Sequence, residues 1–79
     1  MKANRAYELI HRSGSRVQAL LAGPARMDHL EVVEIDSGEV VLFWDLPPEA
    51  ARRVLRQMRT DLAALDADEF ISAWSQAQT

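Results

Sequence analysis

Cysteine is absent from this 79-residue chain, which excludes both a disulfide framework and a thiolate zinc site as the staple of the fold. Lysine occurs once, at Lys2, so all but one of the 9 basic side chains are arginines. That skew points to a GC-rich bacterial genome. The three glycines, Gly14, Gly23 and Gly38, lie too far apart to cradle a phosphate. No apolar run approaches the roughly 20 residues that span a bilayer, and Met1-Lys2-Ala3-Asn4 leads into no signal-peptide core. The expected address is the cytoplasm. Positive charge is in deficit too: a net charge of −3 and a pI near 5.2 disfavour the unspecific attraction that dominates nucleic-acid binding.

A chain this short makes one domain at most, residues 1–79, and buries only about 60–65 % of the surface its unfolded state exposes. With no covalent or metal staple, oligomerisation is the remaining common source of stability.

Against these absences stands a run of β-branched and aromatic residues: Val32, Val33, Ile35, Val40, Val41, Phe43 and Trp44. They predict an antiparallel hairpin over about 30–35 and 40–46, turned at Asp36-Ser37-Gly38-Glu39. If Ser37-Gly38 forms a two-residue turn, Ile35 faces Val40, Val33 faces Leu42 and Glu31 faces Trp44. One face then carries Val33, Ile35, Val40, Leu42 and Trp44, and the other Leu30, Val32, Val41, Phe43 and Glu34. A ribbon apolar on both faces needs more cover than one small helical layer. A second copy of the chain, with hairpins paired edge to edge or stacked, would supply it.

Pro48 and Glu49 open a helix over about 48–65, with Ala51, Leu55, Met58, Leu62 and Leu65 as its apolar stripe. Asp66 and Glu69 have the spacing of a capping box and open a short helix over about 67–76, with Phe70, Ile71 and Trp74 on one face. The N-terminal region is ambiguous. Tyr7, Ile10, Val17 and Leu20 fit a helical face interrupted at Gly14, and this reading is favoured over residues 4–22. Tyr7-Glu8-Leu9-Ile10-His11 and Arg16-Val17-Gln18-Ala19-Leu20 also fit two strands flanking Ser13-Gly14-Ser15. Residues 24–29 read as a loop. The expected class is α+β: an N-terminal helical segment, a hairpin, a long helix and a short one.

Chemistry is sparse. His29 beside Asp28 and Glu31 has the residue types of a metal ligand or acid–base pair, but the spacing matches no metal motif, and solvated loop residues are the simpler reading. No metal, cofactor or catalytic residue is expected, since no nucleophile constellation is visible, and an enzyme is not expected. Arg52, Arg56 and Arg59 share one flank of the long helix, suited to a phosphate, a carboxylate or an acidic partner. The plain alternative is a solvated face balanced by Glu49 and Asp61. Phe43, Trp44 and Trp74 are core or interface residues by type. The two closing helices have the order of a helix-turn-helix unit, but Asp-Ala-Asp-Glu at the start of the second would repel phosphate. Two functions emerge. One is a non-catalytic interaction or regulatory module, self-associating or with a protein partner, that uses Phe43 and Trp44. The other binds a small anion through Arg52, Arg56 or Arg59 with His29.

Overall fold

The computed structural model describes residues 1–12 and 27–77 of the chain. It is α+β, as expected. In chain order the elements are α1 (Ala3–Ala6), β1 (Tyr7–Arg12), β2 (Asp28–Glu34), β3 (Val40–Leu46), α2 (Pro48–Ala64) and α3 (Ala67–Ala77). The strands form one antiparallel sheet in the order β1-β2-β3.

The expected hairpin is present, but its register differs from the two-residue-turn reading. Leu30 faces Trp44, Glu31 faces Phe43 and Val32 faces Leu42, and a bulge then brings Val33 opposite Val40. The turn is the cause. The Glu34 amide donates to the Glu39 carbonyl and the Gly38 amide donates back to the Glu34 carbonyl, each at 2.8 Å, so the loop is wider than two residues. Gly38 sits at φ 75°, where a side chain is costly. Because strand side chains alternate, a one-residue slip moves a whole strand's side chains to the other face. Leu30 and Val32 therefore share a face with Leu42 and Trp44, and the opposite face carries His29, Glu31 and Val33 with Phe43 and Asp45. The ribbon is apolar on one face and mixed on the other, not apolar on both.

The favoured helix over residues 4–22 is corrected at its start. Among the described residues of that span, helix covers only Ala3–Ala6, and Tyr7–Arg12 pairs with β2 from Tyr7 opposite Glu34 to Arg12 opposite His29. Pairing with a strand already folded into a hairpin satisfies these amides and lays Tyr7 and Leu9 against the core, which a weak local preference does not outweigh. The helical and strand readings of residues 13–22 lie outside the described residues. Of the expected loop over 24–29, Asp28 and His29 belong to β2 instead, and residues 24–26 lie outside the described residues.

Helix α2 buries Ala51, Leu55, Met58 and Leu62 of the expected stripe, Leu65 is its half-buried C-cap, and Pro48 occupies its first turn. Val32 and Leu42 of the sheet meet Met58, Leu62 and Phe70 in the core, where Ala3 is also fully buried. Tyr7 stacks on Phe70 with centroids 6.0 Å apart, and Trp44 meets Trp74 edge to face at 5.8 Å. The corner between α2 and α3 is held by the first residues of the chain. Ala3 N–H donates to the Leu65 carbonyl and Ala67 N–H to that of Met1, each at 2.9 Å, and the Lys2 ammonium donates to the Ala64 carbonyl at the C-terminal end of α2. At the start of α3 the Glu69 carboxylate accepts from the Asp66 amide at 3.3 Å, as the capping-box spacing predicts. No helix among the described residues is long and apolar enough to cross a membrane.

Candidate functional site

Two arrangements carry what chemistry the described residues offer: a polar strip across the outer face of the sheet, and an arginine-lined groove on α2.

The strip follows from the register. Arg12, His29 and Asp45 lie side by side on β1, β2 and β3, with Glu31 two residues along β2 on the same face. His29 Nδ1 donates to Asp45 Oδ1 at 2.7 Å, and its Nε2 lies 3.3 Å from Glu31 Oε2. The Arg12 guanidinium is 3.9 Å from the other Glu31 oxygen. Two carboxylates facing two ring nitrogens favour the imidazolium. The hydrogen bond that His29 donates to Asp45 does most to raise the His29 pKa above its ordinary 6.5; Glu31 adds to this and partial burial opposes it. The Phe43 ring lies beside the imidazole, with centroids 6.1 Å apart.

The strip separates residues that look like one cluster in sequence. Asp28 lies on the core face, buried, where its carboxylate accepts from His11 Nε2 at 2.9 Å, while His29 next to it points the other way. Asp28 therefore does not join His29 and Glu31, which do meet. Among the described residues no group of three or more His, Cys, Asp or Glu is placed to hold a metal ion. Nor is any serine or threonine hydroxyl among them bonded to either imidazole; Ser37 bonds Glu34 and its own turn, and Thr60 bonds the Arg56 carbonyl.

Arg52, Arg56 and Arg59 are exposed and, with Leu55 and Thr60, line a shallow groove of about 440 Å³ along α2. His29 does not join them. It lies on the sheet face turned away from Met58 and Leu62 of the same helix, so the anion site that combined His29 with these arginines is not assembled. Asp61, one of the carboxylates expected to balance the arginines, is engaged on the opposite flank of α2, where it accepts from Trp74 Nε1 at 3.1 Å and from Gln57 Nε2 at 2.9 Å. Among the described residues, none of the three guanidinium groups forms an ion pair.

The two aromatic candidates part in the same way. Trp44 turns to the core and packs on Trp74, and Phe43 turns outward, 56 % exposed. Around Phe43, Val41 is 38 % exposed and Val40 47 %, because the bulge at Val41 keeps both valines on the Val33 side. Ile35, in the turn beyond, is 49 % exposed. The sequence alone pairs Val41 with Phe43 but joins neither Asp45 to His29 nor Val40 to the Phe43 patch; only the register does so, and no local motif announces it. Comparison with family models, with curated proteins and with solved structures finds no match to this chain.

Proposed function

We propose that this protein is a small non-catalytic interaction module of the cytoplasm that works as a homodimer, joined through β3. The observation that carries the reading is the apolar patch of Val40, Val41 and Phe43 on a strand at the edge of the sheet. An edge strand offers a row of backbone donors and acceptors to any passing strand, and proteins that stay monomeric blunt such edges with lysine, proline or inward charge. β3 reads VVLFWDL, with no lysine, arginine or proline, and its one charge is Asp45. The opposite edge, β1, reads YELIHR and carries Glu8 and Arg12.

A second copy of the chain is the occupant that fits. Antiparallel pairing of β3 with itself is compatible with a two-fold axis, so a single sheet continues across both chains and the two patches meet side by side as cross-strand neighbours on its outer face. The charges beside the patch, Asp45 and His29, are of opposite sign when the imidazole is protonated, so two-fold packing brings no surplus of one charge to the contact.

Sedimentation equilibrium over about 1 to 100 micromolar tests the proposal. A dimer is expected for the unaltered chain, and a folded monomer, with unchanged far-ultraviolet circular dichroism, for Phe43→Lys and for Val41→Lys. An unaltered chain that is monomeric throughout that range would sink the proposal, as would a Phe43→Lys variant that dimerises as well as the parent.

A further inference from the structure

We infer that the arginine-lined groove of α2 is the docking surface for a short acidic polypeptide segment of a partner protein. The inference rests on the module reading above for its purpose and on the surface of α2 alone for its chemistry. All twelve Asp and Glu residues of the chain lie among the described residues, and no ion pair joins any of them to Arg52, Arg56 or Arg59. Residues 13–26, read in sequence, contain no Asp or Glu that could neutralise the groove. In a chain of net charge −3, three adjacent arginines free of carboxylates are a local reversal of sign.

Geometry selects the class of anion. The three side chains recur at spacings of four and three along one flank, so they reach over about 10 Å of helix axis. Acidic side chains on alternate residues of an extended segment stand about 7 Å apart, close to the roughly 6 Å rise between Arg52 and Arg56. A single phosphate would use one or two of these exposed groups and gain little in high dielectric, whereas several carboxylates on one chain engage all three. A long polyanion fits poorly. Glu49 stands on the same flank one turn before Arg52, and Asp66, Asp68 and Glu69 follow the end of α2, so negative charge bounds the strip at both ends. Leu55 beneath the arginines is only 6 % exposed, so the groove offers little apolar anchorage and the contact is electrostatic and salt-sensitive.

The test is an anisotropy titration of the full chain with a labelled peptide of alternating Glu and Ala. Saturable binding is expected, weakening about tenfold as salt rises from about 50 to about 200 mM. The double variant Arg56→Ala, Arg59→Ala should lose about tenfold in affinity. The charge-matched variant Arg5→Ala, Arg53→Ala, altered at exposed positions outside the groove lining, should stay within about twofold. Absence of saturable binding at low salt overturns the inference, and so does equal loss in the two double variants. Tighter binding of a single-stranded oligonucleotide of equal length would reassign the surface to nucleic acid. Displacement of the peptide by inorganic phosphate at equal anion concentration would reduce it to a single-anion site. The titration is repeated on Phe43→Lys: binding retained by a monomer separates this surface from the dimer contact, and dimerisation without peptide binding fails this inference alone.

Discussion

The two faces of the sheet are built by the same three strands and handle their polar groups in opposite ways. On the core face Val32 and Leu42 are buried against Met58, Leu62 and Phe70, Leu30 is buried on the same face, and the one buried charged residue among those described, Asp28, lies at the end of its strand where His11 can reach it. On the outer face Arg12, Glu31, His29 and Asp45 satisfy one another across three strands. The apolar surface left over is concentrated near the start of β3, at Val40, Val41 and Phe43. Alternation along a strand makes the two faces, but the register between strands decides which residues meet. A core face results where apolar residues line up with apolar residues, and a mixed face where the charges line up with each other and leave one apolar patch behind, the patch proposed to associate.

A matched pair of truncations puts the largest strain on that contrast. Phe70, fully buried between Tyr7 and Trp74, should cost about 3–5 kcal/mol of unfolding free energy as Phe70→Ala, because the cavity it leaves lies in the middle of the core. Phe43→Ala removes the same ring from the outer face, where it is 56 % exposed, and should cost the isolated chain less than about 1 kcal/mol. Urea denaturation at a concentration below dimer dissociation measures both. Comparable losses would mean that the outer face is a second core and not an associating surface.

Gly38→Ala comes next. The turn residue sits at φ 75° with nothing within 4 Å of the added methyl, so the penalty is backbone strain alone, about 1–2 kcal/mol. Burial of Leu30 and Val32 holds the parity of the strands independently of the turn, so the substitution should lower stability and leave the proposed dimer intact. If it dissociated the dimer at unchanged secondary structure, the turn and not the core would be what sets the outer patch.

Where a segment carries a single strong period, its sequence reads directly. Ala51, Leu55, Met58 and Leu62 repeat at helical spacing and are all buried, and Asp66 with Glu69 marks the start of α3. The β character of residues 40–46 is equally plain from their branching and aromatic content. Tyr7–Arg12 reads less clearly because six residues of mixed pattern fit either period, and what makes them a strand is the hairpin they pair with, some twenty residues further on. The site was legible in its residue types and not in its grouping. His29, Phe43 and the three arginines all stand out by type, but whether His29 meets Asp28 or Asp45 depends on alternation and register together. One turn, wider than its Ser37-Gly38 signature suggests, shifts that register by a residue.

The smallest expected effect concerns the polar strip, and pH reads it. His29 has its pKa raised in the folded chain by Asp45 first and Glu31 second, so the imidazolium is favoured in the native state relative to the unfolded one. Folding therefore takes up protons, and the stabilisation is fully present below the ordinary value of 6.5 and lost as pH rises through the higher folded value. Side-chain exposures of 34 % for His29 and 59 % for Asp45 leave both groups partly in water, so the contribution is screened and should fade further in salt. An NMR titration of the imidazole should give a midpoint above 6.5 that falls in Asp45→Asn, with urea stability losing part of its decline across the same window. Phe43 lies against the ring, so the proposed dimer should also loosen as His29 deprotonates. A midpoint unchanged by Asp45→Asn would show that the strip is not coupled through that hydrogen bond, and the outer face would then differ from the core only in its exposure and not in a charge network of its own.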